Sequence, residues 1–264
     1  MNTVYLESIG VVAPGISDWP SCRDIIAGSV IYETREMAKF SPPTLPANER
    51  RRITPTIRLA MQAATEAMQN CSLDPVQVAT VFASSHGDLD ISARICHALS
   101  MPERPVSPTD FHNSVHNAPS GYWSIGSHCH MPSTSLSAGE AIFSAGLVET
   151  VTQVLSENIP CMLVAYDQPP PDIYANAATA TQPFAAALVI TQQKTENSIA
   201  ALTVQTAEQK TTPALKNDTL ESIRSTNSAA QALLLLELVA GKAQAHCLLP
   251  YHDNTALRVS YSPC

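Results

Sequence analysis

Pro132-Ser133-Thr134-Ser135-Leu136-Ser137-Ala138-Gly139-Glu140 is the stretch on which the reading of this chain turns. Ser137 and Glu140, three residues apart, have the form of a capping box. Ile142, Ala145, Leu147, Val151, Val154 and Leu155 follow at helical spacing. The pattern predicts a sharp turn feeding a helix over 137–157. Ala138, Gly139, Ala141, Ser144, Ala145 and Gly146 crowd the first half of that helix with small side chains, which suits close packing inside a domain. The first N–H groups of a helix are unpaired and favour negative charge, so a turn of this kind is a place for a nucleophile. The stretch contains no cysteine.

Outward from this point, apolar runs and helical stripes alternate. Residues 3–12 read as a strand and 19–27 as a short helix, followed by a proline-rich loop over 38–49. Thr54-Pro55 opens a helix with a capping hydroxyl and a proline in the first turn. Its stripe is Ile57, Ala60, Met61, Ala64, Ala67 and Met68. A buried strand is expected over 78–83, a turn at 84–87, a helix over 89–99 and a long polar loop over 107–121, with a helix start over 122–127. Strands over 161–166 and 183–191 complete this part. Beyond Glu196 the pattern predicts a strand over 198–205 and a polar loop over 206–217. An apolar helix over 228–240 stops at Gly241-Lys242, and strands over 245–249 and 256–261 close the chain. Alternating strands and helices indicate an α/β layered domain.

The 264 residues allow one large domain or two fused halves. With 45% apolar and 14% charged residues, little surface is charged, which suggests a covered face and an oligomer. A net charge of −8 argues against a nucleic-acid footprint. The longest apolar run, 232–240, is interrupted by Glu237 and too short to span a membrane. The N-terminal stretch carries Glu7 and has no basic start before an apolar run, so no secretion signal is expected. Seven cysteines without framework spacing fit a reducing cytoplasm. Twenty prolines against nine glycines tilt the reading towards a stiff scaffold rather than an enzyme built on glycine-rich loops.

Several phrases, in order, resemble the β-ketoacyl synthase branch of the thiolase-like superfamily. They are Ile9-Gly10-Val11-Val12-Ala13-Pro14-Gly15, Trp19 with Gly28, Arg51-Arg52 ahead of the Thr54 helix, and Phe111-His112-Asn113-Ser114-Val115-His116-Asn117. The elbow over 133–145 and Gln182-Pro183-Phe184-Ala185-Ala186-Ala187-Leu188-Val189-Ile190 complete the set. The resemblance covers about 3–191. It implies an α/β, thiolase-like layered αβαβα fold with a shortened C-terminal half: 1–194 as the synthase N-terminal-like half and 195–264 as a truncated second half on the same core. Only 70 residues follow Lys194.

In that family a cysteine at the elbow attacks an acyl thioester. Here its position falls on Ser135, or on Leu136 with a one-residue slip. The two histidines contributed by the family's second half are also missing, since His246 and His252 lack the family's contexts. This pattern resembles chain-length factors, cysteine-free subunits that pair with a complete ketosynthase, and most of all the short subunit of bacterial aryl polyene pathways. The resemblance implies a cytoplasmic heterodimer with a ketosynthase subunit, served indirectly by an acyl carrier protein, with no cofactor, metal, nucleic acid or membrane. The partner performs decarboxylative condensation, and this subunit stabilises it and shapes the acyl tunnel. Met131, Pro132, Ser133, Thr134, Ser135 and Leu136 would lie at the interface.

Other readings stand beside it. Ser135 could act as the nucleophile of an independent acyltransferase or thioester hydrolase, with a base from His112, His116, His128 or His130. The opposing reading is that the hydroxyls of 133–137 satisfy local backbone groups. A homodimeric acyl-binding module without chemistry is a third. His112 with His116, and His128-Cys129-His130, are ligand types, but a metal needs three or four converging ligands. Cys129 is the nearest thiol to the elbow, and Met131-Pro132 separate it from any capped helix start. Arg50-Arg51-Arg52 with Arg58 form the basic cluster, read as a solvated surface or as docking for an acidic carrier.

Overall fold

The structure is a computed structural model describing residues 3–176, 178–208 and 213–264. In chain order the elements are β1 (Thr3–Val12), α1 (Trp19–Ile26), α2 (Ala47–Arg50), α3 (Pro55–Gln69), β2 (Ala79–Ala83), α4 (Leu89–Ser100), α5 (Pro108–Asn113), α6 (Ala118–Ser127), β3 (Ser133–Leu136), α7 (Ile142–Glu157), β4 (Cys161–Asp167), β5 (Phe184–Thr191), β6 (Ala200–Glu208), α8 (Asp218–Thr226), α9 (Ala232–Gly241), β7 (Ala245–His252) and β8 (Thr255–Pro263). The strands form one sheet in the order β3-β2-β4-β5-β1-β6-β8-β7. β2 runs parallel to both β3 and β4, and the remaining pairs are antiparallel.

β2, β4 and β5 are buried along their whole length, as continuous apolar runs between two helical layers should be. One layer is α3 with α6. Thr54 caps α3 by accepting from the Ile57 N–H at 3.2 Å, and Pro55 occupies the first turn. Every residue of the stripe read from the sequence is buried. α3 lies so close on β1 that a Cβ at Gly10 would strike the Ala63 carbonyl oxygen and come within 2.7 Å of the Ala67 nitrogen. Glu66, on the same helix, ties α3 to two other elements: its carboxylate accepts the N–H of Val11 at 2.6 Å and that of Trp19. Burial pushes the Glu66 carboxyl up to about 7, against the pull of those two donors; the nearby Asp18 charge adds to the rise.

The opposite layer holds α7 and α9. A Cβ on Gly146 would meet Leu163 of β4 at 2.6 Å and Ala83 of β2 at 3.1 Å. Ser144, about 200° away around the helix, donates its hydroxyl to the Pro250 carbonyl of β7 at 2.5 Å. α7 therefore lies between the front of the sheet and its own far wing, β6-β8-β7, which folds back over the helices. The layers run helix, sheet, helix, sheet. The α/β thiolase-like class and the shortened C-terminal half are both seen; among the described residues no helical layer covers the outer face of the wing. That face carries Thr203, Gln205, Arg258, Ser260, Ser262 and His246, whereas Leu202, Leu249, Leu257, Val259 and Tyr261 point inward.

Four expectations change. The 107–121 loop contains α5 and the first turn of α6, because Pro108 and Pro119 sit in first turns, where a missing N–H costs nothing. The 38–49 loop ends in the first residues of α2. The 137–157 helix begins only at Ile142, after a 3₁₀ turn over Gly139–Ala141, and no side chain caps it. The Ser137 hydroxyl donates instead to the Ser85 carbonyl at 2.7 Å, so the capping box does not form. In the 206–217 loop, 206–208 extend β6, 209–212 lie outside the described residues, and α8 follows, capped by Asn217.

Candidate functional site

The candidate site lies where the parallel strands β3, β2 and β4 end. β3 is an edge strand, hydrogen-bonded to β2 in the register Thr80↔Ser133, Val81↔Thr134, Phe82↔Ser135 and Ala83↔Leu136. Its side chains alternate between faces. Ser133 and Ser135 face the α3/α6 layer: Thr80 Oγ1 donates to Ser133 Oγ at 2.8 Å, and Ser135 Oγ lies 3.2 Å from Ser120 Oγ of α6. Thr134 and Leu136 face the α7 layer: Gln153 Nε2 donates to Thr134 Oγ1 at 2.9 Å, and Leu136 packs on the core there.

This alternation corrects the elbow. Ser135 is a strand residue that points away from α7, the helix whose N-terminus was to activate it. Leu136, the alternative in the register, points towards α7 and has no reactive atom. Among the described residues no histidine is hydrogen-bonded to the Ser135 hydroxyl. His116 Nε2 donates to the Leu136 carbonyl at 3.0 Å. His112 meets Tyr122 edge-on, with ring centroids 6.3 Å apart. His128 takes the left-handed conformation at the C-terminus of α6, and His130 is exposed. Cys129 is buried and donates its thiol to the Val78 carbonyl at 3.4 Å. Among the described residues no three His, Cys, Asp or Glu side chains converge on a metal-sized site. Of the basic cluster, Arg52 pairs with Glu49 at 3.4 Å and Arg58 donates to the Phe40 carbonyl, while Arg51 stands in solvent.

Met131 to Leu136, expected at an interface, form the outer margin of the sheet. Pro132 and Leu136 accept backbone bonds from Thr80 and Ser84 at 3.0 and 3.3 Å. In a parallel ladder alternate residues bond to opposite sides, so the peptide groups of Ser133 and Ser135 face away from β2. Phe111 of α5 and Val115 after it are 70% and 53% exposed.

Sequence reasoning missed a buried polar cluster behind the margin. Asp167, the last residue of β4, is buried. Its Oδ1 accepts from Ser84 Oγ and from the Ser85 N–H, and its Oδ2 lies 2.9 Å from Ser85 Oγ, all three contacts at the same length. Burial pushes the Asp167 carboxyl up, and the hydrogen bonds from Ser85 and Ser84 pull the other way. Asn227, ahead of α9, donates to the carbonyls of Asp167 at 3.2 Å and Gln182 at 3.0 Å, so the C-terminal part of the chain is fastened to the same strand end. The available signal was Asp167 itself, an acid closing an otherwise apolar strand.

The sequence profile of the beta-ketoacyl synthase N-terminal domain matches residues 28–248. The chain belongs to this family. No curated protein matches it in sequence. Among solved structures this β-ketoacyl synthase-family chain resembles one from the ketosynthase (ApeO) in complex with its chain length factor (ApeC) of Xenorhabdus doucetiae. Identity is 25%, the match covers 98% of this chain and 99% of that one, and the TM-score is 0.74. The ishigamide ketosynthase/chain length factor shares the fold at 10% identity, with 99% of each chain covered and a TM-score of 0.74. So does AntDE:AntF, a type II PKS acyl-carrier protein in complex with its ketosynthase bound to the hexaketide, at 11% identity, 100% and 99% coverage and a TM-score of 0.77.

Proposed function

We propose that this chain is a non-catalytic chain-length-factor subunit that pairs with a complete ketosynthase in a type II fatty-acid/polyketide system, of the aryl polyene kind. One observation carries the reading. In a family whose chemistry needs an activated nucleophile at the elbow, this chain places an unactivated serine on the wrong face of a strand, with no base in reach. The likeness to a chain of the ApeO–ApeC complex supports the pathway class. The partner carries out condensation on acyl chains delivered by a carrier protein. This subunit stabilises it and shapes the acyl tunnel.

Met131, Pro132, Ser133, Thr134, Ser135 and Leu136 form the contact strip, with the outward peptide groups of Ser133 and Ser135 available to continue the ladder into the partner. In this reading 1–194 is the synthase-like half and 195–264 the remnant of the second. The boundary falls inside the matched span and is supported by the fold-back after β5. A cytoplasmic location agrees with seven unpaired cysteines, and no described helix is long and apolar enough to cross a membrane.

Co-expression with the full-length ketosynthase of the same source tests this. The expected outcome is a stable 1:1 complex that persists, with unchanged condensing activity, in Ser135→Ala. Ser135→Pro removes one outward N–H without touching the β2 ladder and is expected to weaken association at least about tenfold, the equivalent of one to two lost hydrogen bonds. Purification of two separate, fully active proteins overturns the proposal, as does a Ser135-dependent acyl adduct on the isolated chain.

A further inference from the structure

Counting protons around Asp167 leads to a conclusion about its charge. Ser85 Oγ has one hydrogen and two neighbours that would take it: Gly139 O and Asp167 Oδ2, each at 2.9 Å. If Asp167 is ionised, that hydrogen serves only one of the two, and the buried charge is held by hydrogen bonds from Ser84 and Ser85 with no lysine or arginine beside it among the described residues. The recess beside it is lined by Thr56, His86, Asp90, Gln168, Thr226 and Ser228 among others, and no lysine or arginine is among its described lining residues. The titratable groups near Asp167 are His86 on the turn after β2, which pulls it towards the ionised form, Tyr166 beside it on β4, and Asp90 at the start of α4, on the wall of the recess. α3 and the segment before α9 offer only Thr56, Asn227 and Ser228. An unpaired buried charge is far more costly than a neutral acid with its hydrogen bonds made.

We propose that Asp167 is held as the neutral acid and serves as a positioning residue for the partner-facing margin. The proton sits on Oδ2 and is donated to Ser85 Oγ, whose own hydrogen then goes to the Gly139 carbonyl. Oδ1 accepts from Ser84 Oγ and from the Ser85 N–H, so every member is satisfied. The relay ends on exposed chain: Gly139 has φ +52°, and Ser137 donates to the Ser85 carbonyl at 2.7 Å. The 137–139 turn directly follows Leu136, so the buried acid fixes where the last residues of β3 stand. This role in pairing rests on the function proposed above; the protonation state does not.

The test compares Asp167→Asn with Asp167→Ala. Asparagine reproduces the neutral acid, since Nδ2 can donate to Ser85 Oγ while Oδ1 keeps its two donors. Asp167→Asn is expected to keep the wild-type unfolding midpoint at neutral pH and ketosynthase affinity within about twofold, whereas Asp167→Ala weakens binding about tenfold or more. The infrared difference between wild type and Asp167→Asn at neutral pH should show loss of a protonated-carboxyl carbonyl band. If that band is absent from the difference, or if Asn is as damaging as Ala, the proposal fails. Should Asp167→Ala not fold, the infrared and asparagine arms still decide. The infrared arm needs no ketosynthase, so a wild-type chain that shows the band yet binds no ketosynthase sinks the pairing and leaves the acid in place.

Discussion

Every residue of β2, β4 and β5 is buried, whereas β6, β7 and β8 hide one face and offer the other to solvent. The first group lies between α3/α6 and α7/α9. The second has α7 and α9 beneath it and hydroxyl-bearing or charged side chains above, at Thr203, Ser260, Ser262 and Arg258. A sheet with two covered faces must keep small and apolar side chains at every position. A sheet with one covered face keeps them at every second position and can do without the outer helical layer. A shortened second half is therefore compatible with a stable molecule because the uncovered surface is polar.

Substitutions can break this contrast. The largest loss is expected from Gly10→Val, since the new side chain would press on the α3 backbone, which cannot rotate aside. Destabilisation above about 4 kcal/mol is expected, read as loss of soluble protein or a collapsed urea midpoint. Next comes pH. The Glu66 carboxyl has an ordinary value of 4.5 and stands at about 7 when folded, so the folded state holds the extra proton between those limits. Its contribution is complete below the lower limit and is lost as pH rises through the upper one, on the order of 2 kcal/mol once partial solvent screening is allowed for. Glu66→Gln should flatten that part of the stability–pH curve; an unchanged slope would place the titration elsewhere. Thr54→Ala removes the cap of α3 and should cost about 1 kcal/mol by chemical denaturation. The smallest effect belongs to the wing: Thr203→Ala on its outer face should stay within about 0.5 kcal/mol. A cost as large as that of the cap would mean that something covers this face in solution.

The sequence was most legible where one local signal met no competition. The Thr54-Pro55 start of α3 and the extents of β1, β4 and β5 follow from caps and apolar runs, because packing asks of those segments what their own chemistry prefers. Legibility failed where a side chain had two uses. Ser137 looks like a cap, yet its hydroxyl is taken by Ser85, a residue 52 positions away. Pro108 and Pro119 punctuate a polar stretch and also start helices, and only tertiary contacts choose between the two. β3 shows no strand pattern, since three of its four residues are Ser or Thr. The absence of a thiol at the elbow could be read directly; that Ser135 points away from α7 could not, because this depends on strand pleat. Asp167 was passed over because its partners, Ser84 and Ser85, lie more than 80 positions away and meet it only once β2 and β4 have paired.

β1 is held on both sides by late sequence: Tyr5 to Val12 pair with β5, and Thr3 to Leu6 pair with β6. β1 therefore leaves the ribosome well before either of its sheet neighbours, and has none until residues beyond 184, and then beyond 200, have been made. Such long-range closure is slow, and it leaves an apolar segment waiting unpaired during synthesis. The yield of folded protein should depend on how well the cell shelters that nascent strand, and slower translation or added chaperone should raise it.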